Sequence, residues 1–288
     1  MSERRYDTPP KNKASLEQRL RNLIGDHALQ LRARRQIGYH AEIAPLGTHA
    51  RDENGEPLFA IKGGVAVELL MGQEARATKD LDAAARARAE EIEPLLRNAL
   101  ARGWDGFSFR LVSWEPIHDT AAWRGDIKLQ FKGQPFSTVQ FEAAPAEGDA
   151  GRGTQLVDNT FVDVAALGLS PLGGLPLLTL PYKLAHDVHP CTGPSVPERE
   201  NDRARDLIDL LLVHRLLADD ELPDVRRACV EIFRLRDKHP WPPSVTVLPE
   251  WPAIYAVELA KTPGFTPTEV QQAAADVDRL ITEIDRAP

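Results

Sequence analysis

FAIKGGVAVELLMGQEARATKDLDA, residues 59–83, is the stretch on which the fold turns. A short apolar strand, Leu58 to Lys62, runs into Gly63-Gly64. Val65 to Met71 then carries helical apolar spacing as far as Gly72, and Thr78 to Ala84 returns to extended alternation. Alternate residues of a strand share a face, so Asp80 and Asp82 project together while Leu81 points inward. Two carboxylates side by side repel unless a cation sits between them. Hard oxygen ligands of this kind suit Mg²⁺, which binds one or two carboxylates and completes its shell with water and substrate phosphates. Gly63 and Gly64 let a ligand approach the backbone, and the helix beginning at Val65 aims free N–H groups and a positive dipole end at the same place. Strand, turn, helix and strand in this order predict a phosphate pocket beside a metal pair. Either motif alone occurs by chance on strand ends and turns; the combination carries the reading.

Outward from this stretch, Ser15 to Arg35 reads as one amphipathic helix, with Leu16, Leu20, Leu23 and Ile24 at helical spacing. Glu90 to Arg102 is expected as a helix closed by Gly103. Phe107 to Val112 turns to β, followed by Ile127, Leu129 and Phe131, a turn at Lys132 to Pro135, and Val139 and Phe141 in alternation. The fold class expected is α/β (α+β), with a small mixed sheet in a first lobe over residues 1–146. Glu147 to Thr154 (EGDAGRGT) reads as a turn-rich break. A mostly helical second lobe over 155–288 should follow, with helices at Pro181 to Val188, Asp202 to Leu217, Asp224 to Lys238, Trp251 to Lys261 and Thr268 to Ile284. The last takes Thr266 or Thr268 as its N-cap, and a Pro-interrupted loop (PCTGPSVPEREN) follows the helix that Pro190 stops.

The chain has 288 residues and is 42% hydrophobic, enough for a sizeable core divided between two lobes. No apolar run approaches the ~20 residues that span a bilayer, and Met1 to Lys13 lacks the apolar centre of a signal peptide, so a cytoplasmic protein without membrane contact is expected. Cys191 and Cys229 are too few for a disulfide framework. The formal charge of -8 argues against a general nucleic-acid coat protein. Residues 1–36 nevertheless hold a basic arm (Arg4, Arg5, Lys11, Lys13, Arg19, Arg21, Arg32, Arg34 and Arg35) that either meets a polyanion or forms a solvated helix face.

The run GGVAVELLMGQEARATKDLD, residues 63–82, resembles the first motif of the AbiEii/AbiGii nucleotidyltransferase-like toxins, a branch of the DNA polymerase β-like superfamily. NDRARDLIDLLLV, from Asn201 to Val213, resembles that family's C-terminal helix, and the opening helix and the closing WPAIYAV sit where the family has them. The resemblance implies a nucleotidyltransferase fold with Asp80 and Asp82 as metal-binding carboxylates and a third acid on a neighbouring strand. In STVQFE (137–142), Glu142 shares a face with Gln140 opposite Val139 and Phe141, which makes it the candidate; a solvent acid at a hairpin end is the alternative. The resemblance also implies nucleotide-phosphate contacts from Arg76 and Thr78, although a surface ion pair accounts equally for Arg76. It places Asp209 in the active site, where composition alone would read a charge cluster near a helix N-terminus. At Asp187 the family has a lysine. Lys183 lies one turn earlier on the same face and is the candidate to supply that ammonium, with Asp187 either pairing with it or facing solvent.

His186, Asp187, His189 and Cys191 invite a transition-metal reading, but helical zinc histidines prefer a spacing of four, and the spacing here is three. No nucleophile signature of a hydrolase occurs. The resemblance implies NTP- and Mg²⁺- (or Mn²⁺-) dependent nucleotidyl transfer by a type IV toxin acting on the 3′ end of tRNA, with NTP, tRNA or another RNA acceptor, and a cognate antitoxin as partners. The alternative is a nucleotide- or partner-binding protein of the same fold with attenuated or lost catalysis.

Overall fold

Gly63 takes a left-handed conformation (φ 62°), and there a strand becomes a helix without a loop between them. The computed structural model describes residues 5–118, 120–152, 154–158, 162–195 and 200–288. Arg4 of the basic arm, Gly153 and residues 196–199 of the Pro-interrupted loop lie outside them. In chain order the elements are α1 (Lys13–Leu23), α2 (His27–His49), β1 (Phe59–Lys62), α3 (Gly63–Met71), β2 (Asp80–Ala85), α4 (Ala89–Leu100), β3 (Phe107–Leu111), β4 (Glu115–Pro116), β5 (Trp123–Phe131), β6 (Gln134–Pro145), β7 (Gln155–Val157) and β8 (Leu175–Leu177). The helices α5 (Leu180–Cys191), α6 (Ala204–His214), α7 (Leu222–Arg236), α8 (Trp251–Leu259) and α9 (Val270–Arg286) complete the chain.

Two compact units divide it. The first holds Met1–Val65, Lys79–Ala146 and Thr154–Leu177, and the second holds Ala66–Thr78, Glu147–Gly153 and Leu178–Pro288. The first unit contains a mixed sheet in the order β3-β5-β6-β2-β1-β8-β7, with β4 paired on β5. β2 runs parallel to β6 and antiparallel to β1. Residues 155–177, expected with the helical lobe, belong to this sheet, because β8 pairs with β1 and β7 with β8. The sheet is accordingly wider than the small one expected.

One face of the sheet is covered by α2. A Cβ on its Gly38 would meet Ser137 Oγ at 3.2 Å, Val139 at 3.8 Å and Leu129 at 3.9 Å. The single helix expected over Ser15 to Arg35 is two helices: the chain is extended at Ile24, and Asp26 starts α2 by accepting from the Leu29 N–H at 2.9 Å. From Gln36 to Gly47 α2 is buried on every side, through the proline at 45. A helix buried all round has no periodic stripe, so nothing in the spacing announced it.

The second unit packs α5 to α9 around a core that includes Val67, Ala75, Leu184, Leu207, Ile208, Ile232, Trp251 and Ile281. Pro190 falls within α5 rather than ending it, in the last turn of the helix. Glu269, not Thr266 or Thr268, occupies the N-cap of α9.

Candidate active site

Along β2, Asp80 and Asp82 are partly exposed while Leu81 and Ala83 are buried, so the two carboxylates share the face turned away from the core. Asp82 lies against the turn. A Cβ built on Gly63 would fall 2.0 Å from its Oδ2 and 2.8 Å from its Cγ. Gly63 is thus required twice, by its positive φ and by the carboxylate filling the space where a side chain would start. The sequence placed that demand on both glycines of the pair; Gly64, the second, lies in the first turn of α3.

Register extends this face across three neighbouring strands. Lys62 pairs with Asp82, Asp82 with Glu142, and Glu142 with Arg124, giving a row that reads cation, acid, acid, cation. One step along, Asp80 pairs with Gln140 and Gln140 with Asp126. Glu142 stands beside Asp82 but is held from its other side: Arg124 donates to its Oε1 from Nε at 2.7 Å and from a terminal nitrogen at 2.5 Å. Both contacts fall on the same carboxylate oxygen. Asp126 is a further carboxylate on this face that the sequence reading missed. The clue was present, since Asp126 alternates with buried Ile127 and Leu129.

The second unit holds the other candidates. Arg76 makes a bidentate pair with Asp209, Nε to Oδ1 at 3.0 Å and a terminal nitrogen to Oδ2 at 2.7 Å, and its remaining nitrogen lies 3.9 Å from Glu258. This is not the surface ion pair the sequence allowed, because the two side chains are only 10% and 5% exposed. Burial opposes the Arg76 charge, yet Asp209, Asp206 and Glu258 together hold its pKa above the ordinary value. The Thr78 backbone N–H donates to the buried Glu68 at 2.6 Å. Lys183, 1% exposed, donates to Asp187 one turn on, which is the pairing alternative and not the solvent one. Burial raises the Asp187 carboxyl above its usual range although Lys183 pulls it back, and burial raises Asp206 to about 6.

No protein-family profile matches the sequence, and no curated protein does. Solved structures do. The chain is similar over 96% of its length to 90% of MenT4, a nucleotidyltransferase toxin of Mycobacterium tuberculosis, with a TM-score of 0.58 at 16% sequence identity. The chain has the nucleotidyltransferase fold. Weaker likenesses, which add nothing to that conclusion, are to a candidate nucleotidyltransferase of H. pylori (TM-score 0.47, 14% identity, 89% of this chain and 94% of that one) and to the Megavirus polyadenylate synthase (TM-score 0.32, 8% identity, 86% and 40%).

Nucleotidyltransferase folds imply a divalent cation, and the residues present fit one in a limited way. Asp80 and Asp82 supply the two carboxylates that Mg²⁺ commonly takes. Among the described residues no three His, Cys, Asp or Glu side chains form a ready cage, so an ion at this face would depend on water and phosphate oxygens for the rest of its shell. The His186 to Cys191 segment serves packing instead. His189 stacks edge-on to Phe233 at 4.8 Å, and burial, aided by Arg236, lowers its pKa to about 3. Glu147 binds Arg236 at 2.6 and 3.0 Å. In the N-terminal arm several cations are also spent inside the fold: Arg19 donates to the Thr8 and Leu167 carbonyls, and Arg34 pairs with Glu17 at 3.6 Å. Among the described residues no helix is long and apolar enough to cross a membrane.

Proposed function

We propose that this protein is an NTP- and Mg²⁺-dependent nucleotidyltransferase of the toxin type, transferring a nucleotide to the 3′ end of tRNA. The observation that carries the reading is the pair Asp80 and Asp82 on one open sheet face, with Asp82 seated over the Gly63 turn, within a fold shared with a nucleotidyltransferase toxin. In this reading Gly63, Gly64 and the start of α3 receive the triphosphate, because free N–H groups at a helix start favour anions. Asp80 and Asp82 hold a divalent ion, which when bound supplies Lewis acidity at the phosphate oxygens. The acceptor hydroxyl attacks the α-phosphorus, the bond to the β-phosphate oxygen breaks, pyrophosphate leaves, and the hydroxyl proton passes to a carboxylate of this face. Glu142, beside Asp82, is the group assigned to take it.

The test is incubation of the purified protein with labelled NTPs, Mg²⁺ and total tRNA. Label should enter tRNA, and Asp80→Asn and Asp82→Asn should each abolish transfer while leaving the melting temperature near that of the parent. Transfer that survives either change overturns the assignment. A second reading, a nucleotide- or partner-binding protein with attenuated catalysis, is favoured by one observation: the cations that the sequence resemblance assigns to phosphates are both neutralised within the second unit, Arg76 by Asp209 and Lys183 by Asp187. Calorimetric binding of Mg·NTP without label transfer would select it.

A further inference from the structure

The first unit contains a cavity of about 240 Å³ lined by Arg35 and Tyr39 of α2, by Lys79, and by Ser137, Thr138 and Val139 of β6. One water needs only ~10–15 Å³ of such space, so a polyatomic ligand fits. The lining brings two cations and the hydroxyls of Tyr39 and Ser137 and contains no acid, while Thr138, between Ser137 and Val139, turns its side chain to the other face of the strand. Ser137 Oγ is buried without a hydrogen-bond partner among the described residues, an arrangement that is unfavourable unless a polar group meets it. Cations and hydroxyl donors without a carboxylate are the chemistry that receives a phosphate.

Register fixes where this cavity lies relative to the carboxylates. β2 begins at Asp80, opposite Gln140, so β6 runs on past it at Ser137 to Val139. Ser137 and Val139 point to the face that α2 covers, since both lie under Gly38, whereas Gln140, Glu142, Asp80 and Asp82 belong to the opposite face. A triphosphate seated at Asp80 and Asp82 therefore cannot place the same phosphate in the cavity. Lys79 and Asp80 are nevertheless consecutive, about 3.8 Å apart at Cα. A polymer rounding the open end of β2 can leave one phosphate at Lys79 and present its terminus at Asp80.

We propose that this cavity is a phosphodiester-binding subsite for a single-stranded RNA end, with Arg35 and Lys79 neutralising the phosphate and Ser137 donating to it. The proposal rests on the nucleotidyl-transfer reading for its choice of polymer, and only for that. A protein that neutralises fewer phosphates of a single strand shows a shallower salt dependence, the slope of log K against log salt falling by about 0.7 for each phosphate left un-neutralised.

The experiment measures anisotropy of a labelled single-stranded RNA over a range of NaCl concentrations, with calorimetry of the four Mg·NTPs in parallel. The proteins compared are the full chain, its Arg35→Gln, Lys79→Gln and Arg35→Lys variants, and the double glutamine variant. Lys79 is exposed, so its substitution leaves the fold alone. Each glutamine variant should reduce the slope, the double variant Arg35→Gln/Lys79→Gln by about 0.7 in total, Arg35→Lys should keep it, and Mg·NTP affinity should stay unchanged in all. Slopes that do not move in either glutamine variant overturn the proposal. So does a parallel fall in Mg·NTP affinity, which would make the cavity part of the nucleotide site. A parent protein that binds a Mg·NTP but no RNA sinks the subsite and spares nucleotidyl transfer; one whose RNA slope falls as expected but that binds none of the four Mg·NTPs keeps the subsite and sinks the transfer reading.

Discussion

Gly63 is where backbone and chemistry are least separable. Any L side chain there meets a left-handed backbone, costing about 1–2 kcal/mol, and a Cβ that overlaps the Asp82 carboxylate. Gly63→Ala should therefore lower the melting temperature by several degrees and also displace Asp82, so that Mg²⁺-dependent NTP affinity falls with it. Retained affinity in a destabilised protein would show that the turn serves the fold alone. A second residue answers to pH. Asp206 is buried, and its carboxyl is raised from 3.8 to about 6. The folded state thus holds the proton more tightly than the unfolded chain; the favourable contribution is complete below the unfolded value of 3.8 and is lost as pH rises through about 6. Asp206→Asn should stabilise the protein above pH 6, by on the order of 3 kcal/mol, with the difference vanishing toward pH 4. Thermal melts of both proteins across that range check it, and an advantage independent of pH would contradict the assignment.

Among the elements, the segment between α3 and β2 is tied to α6 by the Arg76–Asp209 pair, within the second unit. Removing one partner of a buried ion pair leaves the other uncompensated, at about 3–5 kcal/mol. Asp209→Asn should cost that much in chemical denaturation, and the double change Arg76→Met with Asp209→Leu should recover most of it. If the single variant is as stable as the parent, the pair does not hold the segment. β1, α3 and β2 were legible in the sequence because glycines, helical spacing and strict alternation coincide within residues 59–83, and the common face of Asp80 and Asp82 followed from strand geometry alone. β7 and β8 were not legible, being three residues each, with Pro176 in one of them. Asp126 alternates as clearly as Glu142 does, but only the register of β5 on β6 brings it to the row of Asp80. The engagement of Glu142 by Arg124 could not be read at all, since residues 18 apart meet there only through the same hairpin.

At the scale of the whole molecule, the units are interleaved along the chain. It passes from the first to the second at Val65–Ala66 and at Ala146–Glu147, returning at Lys79 and at Thr154 before the final passage after Leu177. A fragment of residues 1–146 consequently lacks β7 and β8 and leaves β1 with an unpaired edge, which favours association with other chains. Size-exclusion chromatography should find that fragment aggregated and a 1–177 fragment less so. The same pairing of β1 with β8 sets a timetable during synthesis. Phe59 to Lys62 leaves the ribosome long before Leu175 to Leu177, and at roughly 5–20 residues per second the intervening stretch takes on the order of ten seconds. Through that interval the strand leading into Gly63 waits with one side bare, so the nascent chain, rather than the finished protein, is the form most in need of a chaperone.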